Sequence, residues 1–140
     1  MINITELRIG NYIVNTIKKK IIEIIGISNE GFIEYFENEI RKKIDITNLE
    51  PLYLSDDLID QLVNIGILLK DFDSKDIYYF AHSTSTYFFV NNKNEYFVGM
   101  IDTNLPEDYR RITRPFKEYH KLQNAYLAIY NKELLRFSIE

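Results

Sequence analysis

An α+β fold is predicted by this sequence, because two segments with helical spacing of apolar residues stand among several short segments with strand patterns. The strand segments are rich in Ile, Tyr and Phe, which favour a half-buried pleated surface. The hydrophobic content of 46% and the charged content of 27% are those of a globular protein. One compact unit is expected overall, with a small β module over residues 1–50 and a helix, an antiparallel meander and a C-terminal helix over 51–140.

The N-terminal module carries four short strand patterns, which lie at 7–14, 21–27, 32–36 and 39–46. Turn residues separate or interrupt them, since Gly10-Asn11 breaks the first run and Asn29-Glu30-Gly31 marks a hairpin. Short strands joined by tight turns predict either a small curled sheet or an SH3-like barrel.

The first helix pattern follows Pro51, which breaks the strand pattern. Ser55 is placed as the N-cap, and Asp56 and Asp57 follow in the first turn, where the helix dipole favours negative charge. Gly66 is placed to end the helix in a left-handed conformation.

The strongest strand patterns lie at 77–90 and 95–101, and their aromatic and β-branched residues predict a three-stranded antiparallel meander. A second helix pattern follows Pro115, with Asn131 as its C-terminal cap. Its apolar residues recur at steps of three and four, at Phe116, Tyr119, Leu122, Tyr126, Ile129 and Tyr130. This apolar face is expected to cover the meander.

Composition excludes several classes of protein. The absence of cysteine rules out disulfides, thiol nucleophiles and thiolate zinc sites, and it fits a reducing compartment. The net charge of −4 argues against a protein whose whole surface binds nucleic acid, because such a surface must be basic. The N-terminus has no signal-peptide pattern, and no window approaches the roughly 20 apolar residues that span a bilayer. A cytoplasmic protein without membrane contact is therefore expected.

Three segments carry a family resemblance: ELRIGNYI at 6–13, LEPLYLSDDLIDQLVNIGI at 49–67 and YHKLQNAYLAIYNKEL at 119–134. In this order they resemble a family of short proteins of Bacteroidota and of their phages and prophages, in which the segments look like ELRIGN, PI.LTEEWLLKFGF and VHQLQNLYFALTGEEL. The resemblance implies a setting in mobile or phage-borne genes and not a reaction. The residues expected to form a structural family motif are Arg8, Gly10, Asn11, His120, Gln123, Asn124 and Tyr126.

His120, Gln123 and Asn124 stand out as polar residues in the apolar pattern of the second helix. A buried amide at this place would hydrogen-bond the backbone of a neighbouring strand or loop and determine the register of the helix. The alternative is a histidine general base oriented by an amide, but no nucleophile or carboxylate accompanies His120 at helical spacing. The structural role is favoured.

Other candidates for chemistry are weaker. His82 stands beside Ser83-Thr84-Ser85, but adjacent residues of a strand point to opposite faces, so this pair is not a triad by itself. Asp71, Asp73 and Asp76 lack the Gly and the terminal Glu of a calcium loop. No metal-site histidine spacing and no Gly-rich phosphate loop occurs. We expect no metal, no cofactor and no enzymatic activity.

An arginine segment is the main candidate for binding, and it comprises Tyr109, Arg110, Arg111 and Arg114, with Lys117 and Lys121 after it. Guanidinium groups beside aromatic rings stack on bases, clamp phosphates or anchor a protein partner. The alternative is an ordinary solvated loop that balances nearby acids. A second basic group, 18–20 with 41–43, would join the arginine segment only if the N-terminal module packed that way.

The resulting functional hypothesis is a non-enzymatic interaction protein of phage or prophage type that binds and inhibits a host factor, such as a component of an antiviral defence system. The first alternative is a nucleic-acid accessory module that stacks bases on Tyr87, Phe89 or Tyr96 beside the arginines. The second is a binder, or sponge, of a nucleotide signal. An exposed edge of the meander would pair with a second copy or with a target strand.

Overall fold

The computed structural model describes residues 2–71, 76–81, 87–101 and 109–130. Its helices and strands are, in chain order, β1 (Tyr12–Asn15), β2 (Lys20–Glu23), β3 (Gly26–Ile27), β4 (Phe32–Glu37), β5 (Ile40–Asp45), β6 (Leu49–Pro51), α1 (Asp56–Asn64), β7 (Leu68–Lys70), β8 (Ile77–Phe80), β9 (Tyr87–Asn92), β10 (Glu95–Ile101), β11 (Tyr109–Arg111) and α2 (Tyr119–Tyr130). Single 3-10 turns occupy Ile4–Glu6 and Ile46–Asn48. The α+β class predicted from the sequence is confirmed. No helix of the described ranges is long and apolar enough to cross a membrane.

The chain divides into two compact units between Tyr53 and Leu54 and again between Lys117 and Glu118. The first unit holds β1–β6 together with α2, and the second holds α1 and β7–β11. This differs from the expected division at residue 50, because the C-terminal helix groups with the N-terminal strands and not with the meander. Apolar periodicity shows which face a helix buries but does not show which sheet covers it. Asn131, the expected cap of this helix, lies outside the described residues.

The first unit contains two antiparallel three-stranded sheets, with the strand orders β2-β1-β6 and β3-β4-β5. The chain passes from one sheet to the other at Ile24 and Ile25. The Ile24 N–H donates to the Asn11 carbonyl and the Ile25 N–H to the Glu34 carbonyl, both at 2.9 Å. The core is formed by Ile2, Leu7, Ile13, Ile22, Ile24, Ile33, Tyr35, Ile44 and Leu49. Strands β4 and β5 form where the sequence predicts them. The run at 21–27 is divided between β2 and β3 of different sheets, β1 begins only at Tyr12, and β6 was not predicted. SH3-like closure is not confirmed.

The second unit is built on an antiparallel sheet of order β11-β10-β9-β8-β7. The predicted meander forms its centre, β8 to β10, and β7 and β11 extend it on the two sides. Phe89 and Tyr96 stack with ring centroids 5.3 Å apart, and both rings are buried. Phe116 does not begin α2 as expected, because its backbone exchanges hydrogen bonds with Tyr96 at 2.8 and 2.9 Å.

Helix α1 begins and ends at the residues that the sequence predicts. The Ser55 hydroxyl accepts the Leu58 N–H at 3.2 Å, and two aspartates stand in the first turn. At the other end Gly66 has φ +83°, and the Ile67 N–H donates to the Leu62 carbonyl at 3.0 Å, which closes the helix in a Schellman motif.

The substitution Gly66→Ala is expected to lower the free energy of unfolding by about 1 kcal/mol. The cause is backbone strain at φ +83° and not a clash, since nothing lies within 4 Å of the added methyl carbon. Urea unfolding followed by circular dichroism measures the loss. Gly66→Asn is the matched control, since Asn tolerates this conformation and should cost less. An Ala variant as stable as the parent would contradict the assignment.

Candidate functional site

Two of the three polar residues that stand out in the second helix, Gln123 and Asn124, form a cluster in the first unit, where α2 meets the loop before β1. We call it the loop–helix cluster, and its members are Arg8, Gly10, Asn11, Gln123 and Asn124. Asn11 and Gln123 are buried. Gly10, at φ +96°, turns the chain so that the backbone on both sides of Asn11 faces the helix.

Gln123 binds this loop through its backbone. Its Oε1 accepts the Tyr12 N–H at 2.9 Å, and its Nε2 donates to the Gly10 carbonyl at 3.1 Å. A carboxamide carries one acceptor and two donor hydrogens, so it pairs with both groups as a neighbouring strand would. The predicted bond from a buried amide to the backbone of a loop is confirmed.

The two asparagines complete the cluster. The Asn11 side chain donates to Asn124 Oδ1 at 2.9 Å and accepts the Arg8 N–H at 2.9 Å. Asn124 in turn donates to the Glu6 carbonyl at 3.1 Å. The Arg8 guanidinium donates to the Gln123 carbonyl at 3.1 Å and to the Ile9 carbonyl at 3.0 Å. These polar groups bind each other and the backbone, so their arrangement holds the helix in place.

His120 lies beside this cluster but makes no hydrogen bond with either ring nitrogen. Its side chain is only 2% exposed, and its Nε2 lies 4.0 Å from Glu6 Oε2, which is too long for a hydrogen bond. Burial lowers the pKa of His120; the carboxylates of Glu118 and Glu6 oppose this shift and the Lys121 ammonium adds to it. The imidazole is therefore held neutral and away from solvent.

The arginine segment is only partly the irregular loop that the sequence predicts. Residues 109–111 form β11, paired with residues 99–101 of β10. The exposed Arg111 lies with its guanidinium carbon 4.4 Å from the centre of the Phe97 ring, a cation–π contact. Arg114 and Lys117 are exposed as well. The side chains of Tyr109 and Arg110 lie outside the described residues.

Two of the proposed base-stacking residues are not available to a ligand. Phe89 and Tyr96 are buried in the second unit and stack on each other, so the prediction that they receive bases is wrong. The side chain of Tyr87 lies outside the described residues. Lys121 is on α2, in the first unit, where its ammonium lies 3.4 Å from Glu118 and 3.8 Å from Glu6.

The remaining candidates add no site among the described residues. His82, Ser83-Thr84-Ser85 and Asp73 lie outside them, while Asp71 and Asp76 flank the gap. Within the ranges that the structure describes, no group of three or more His, Asp or Glu residues is placed to hold a metal ion.

A surface that sequence reasoning missed lies in the first unit, at the end where the β1–β2 and β4–β5 hairpins turn. We call it the hairpin-end surface and define it as residues 16–20 and 36–43. Ile17, Phe36 and Ile40 are 67%, 59% and 61% exposed. The β4–β5 turn is tight, since Asn38 and Glu39 have φ +50° and +65°, as in a type I′ hairpin.

An ion pair joins the two hairpins. Lys18 Nζ lies 2.6 Å from Glu37 Oε2, and the Lys42 ammonium lies 4.0 Å from the same oxygen. The hydrogen bond lowers the pKa of Glu37 and raises the pKa of Lys18. The two basic runs noted in the sequence thus meet at one carboxylate. The available signal for Phe36 was strand alternation, because Ile33 and Tyr35 point inward and leave Phe36 on the outer face.

Replacing Gln123 by Leu is expected to lower the free energy of unfolding by about 2 to 4 kcal/mol, because the Gly10 carbonyl and the Tyr12 N–H each lose their bond to the amide. Thermal and urea unfolding measure the loss. The matched control is Gln61→Leu in α1, on a half-buried position, with an expected change within about 0.5 kcal/mol. Equal losses in the two variants would contradict a specific role of Gln123.

Stability is expected to fall as the pH is lowered through about 6.5, the ordinary histidine value. The pKa of His120 is lowered in the folded state, so below that pH the unfolded chain binds more protons and is favoured. His120→Leu should weaken this pH dependence. In a His82→Gln variant the one remaining imidazole can be titrated by NMR, and a pKa at or above 6.5 would contradict the burial argument.

Comparison with known proteins adds no relative, because no protein-family model, curated protein or solved structure matches this chain.

Proposed function

We propose that this protein is a non-enzymatic interaction protein that binds another protein through the hairpin-end surface. The observation that carries the proposal is the exposure of Ile17, Phe36 and Ile40 at one end of a well-packed β unit. In keeping with the family resemblance to phage and prophage proteins, the proposed partner is a host factor, such as a component of an antiviral defence system, and binding would inhibit it.

Apolar exposure alone is ordinary on protein surfaces, so the arrangement matters more than the number. Phe36 and Ile40 flank one tight turn, with Phe36 on the outer face of the hairpin and Ile40 on the face of Glu37. Ile17 is next to Lys18, which binds Glu37. The strands behind them bury Ile13, Ile33 and Tyr35. An aromatic ring held on such a rigid support loses little conformational entropy on binding, which is typical of anchor residues in interfaces.

The polar residues that suggested catalysis support the same proposal by their structural use. Gln123 and Asn124 are bonded to the loop before β1, and His120 is closed off from solvent. A general base must reach the proton that it removes. His120 is 1% exposed, so a substrate would reach the imidazole only after the residues around it moved.

The arginine segment supports a second candidate, binding of a nucleic acid or of a nucleotide signal. The observation in its favour is that Arg111 is exposed and supported by the Phe97 ring, which presents a guanidinium at a defined place. The burial of Phe89 and Tyr96 removes two of the aromatic platforms on which bases would have stacked. Phosphate contacts would then carry the binding.

Purification from the native host background at low and at moderate salt, with mass spectrometry, tests the first candidate. We expect one protein to be retained at both salt levels. Its recovered amount should fall at least about tenfold with a Phe36→Ser Ile40→Ser variant, since two apolar anchors are removed. The matched control is Leu69→Ser, which removes a similarly exposed apolar residue, at 54%, from β7.

The outcomes separate the candidates. A protein held equally by the parent and by the Phe36→Ser Ile40→Ser variant, or no stoichiometric protein at all, would contradict binding through the hairpin-end surface. Nucleic acid or nucleotide that elutes as salt rises, and is lost with Arg111→Ala Arg114→Ala, would instead support the arginine segment.

A further inference from the structure

The hairpin-end surface is positively charged although the protein is acidic. Residues 16–20 and 36–43 contain six of the 17 Lys and Arg residues and two of the 21 Asp and Glu residues, a net charge of +4. The whole chain has a net charge of −4, so the remaining residues carry −8. Charge complementarity therefore favours an acidic occupant for this surface.

Three of the six basic residues of this surface, Arg41, Lys42 and Lys43, lie on the edge strand of a sheet. Within the described residues β5 pairs with β4 on one side only, because it is the last strand in the order β3-β4-β5. Its six residues read IRKKID, and Ile40, Arg41 and Lys43 are exposed. At about 3.3 Å per residue the open edge is roughly 20 Å long, enough for one added strand.

We infer that the open edge of β5 takes an extended acidic segment of a partner protein by strand addition. Backbone hydrogen bonds along the edge would supply affinity, and alternating side chains would supply selectivity. Because successive residues of β5 point to opposite faces, Arg41 and Lys43 meet carboxylates on the outer face, while Lys42 lies on the other face near Glu37. This inference rests on the proposed function and names the chemistry of its partner.

The same charges disfavour a second copy of this chain. Two β5 strands paired edge to edge would place Arg41, Lys42 and Lys43 of one copy against those of the other, and like charges across a strand pair are destabilising. Nucleic acid fits less well than an acidic protein, since Glu37 and Glu39 stand at the turn and would repel phosphates.

Two carboxylates near the edge are already occupied. Glu34 is paired with Arg41, and Glu37 with Lys18, so an incoming segment competes with Glu34 for the Arg41 guanidinium. Lys43 lies 4.7 Å from the centre of the Phe32 ring, which holds its ammonium on the outer face of the hairpin. On the side that faces away from the ring, this exposed ammonium can bind a carboxylate.

An NMR titration of the ¹⁵N-labelled full chain tests the inference with three synthetic octapeptides. They alternate Glu with Val, alternate Lys with Val, or repeat the Glu–Val sequence with every second backbone nitrogen methylated. We expect the plain Glu–Val peptide to shift the amide resonances of residues 40–45. The Lys–Val and the methylated peptides should bind at least about tenfold more weakly, since one lacks the charge and the other the backbone donors.

Matched variants locate the site. Arg41→Gln Lys43→Gln should weaken Glu–Val binding at least about tenfold, whereas Lys70→Gln on β7, one of the two edge strands of the five-stranded sheet, should leave it unchanged. Equal binding of the methylated peptide would reduce the contact to charge alone and overturn strand addition. Unchanged amide resonances at 40–45 would also overturn the inference, as would tighter binding of an oligothymidine to the same residues.

These results are distinguishable from failure of the proposed function. A host protein retained through Phe36 and Ile40, with no peptide response at 40–45, overturns strand addition and leaves the proposed function standing. A peptide response at 40–45 together with no host partner in the purification overturns the proposed function and leaves strand addition at β5 standing.

Discussion

One side-chain amide determines how the first unit is assembled. Gln123 pairs with the Gly10 carbonyl and the Tyr12 N–H, the two backbone groups that flank the buried Asn11. Without a partner these groups would each oppose burial of the helix. By acting as a substitute for a neighbouring strand, the amide allows an apolar helix to pack on an irregular loop, and Asn11 and Asn124 extend the same bonding to the 3-10 turn before it.

Anchoring α2 in this way has a consequence for function. Gln123 and Asn124 are bonded to the segment before β1, and one exposed surface of the same unit, the hairpin-end surface, is apolar and basic. The ion pair between Lys18 and Glu37 joins the turns of two hairpins. It therefore holds the exposed apolar side chains of both turns close to one another. Binding to a protein requires such a surface and no reactive group.

Local features of the fold could be predicted from the sequence. Ser55 and Gly66 mark the ends of α1 because capping depends on residues within one turn, and Asn29-Glu30-Gly31 marks the turn between β3 and β4, where Gly31 has φ +91°. The structural role of Gln123 was also predictable, since an amide in an apolar helix face needs a partner when it is buried. Its particular partners were not, because 111 residues separate it from Tyr12.

The sequence by itself therefore determined the α+β class, the capped helix, the strand segments and the need for Gln123 to find a hydrogen-bonding partner. Only the tertiary structure decided that α2 belongs with the N-terminal strands, that Phe89 and Tyr96 are buried, and that Lys18 meets Glu37. The physical reason is range. Caps, turns and alternation depend on neighbours in the chain, whereas packing partners and exposed surfaces depend on which distant segments come together.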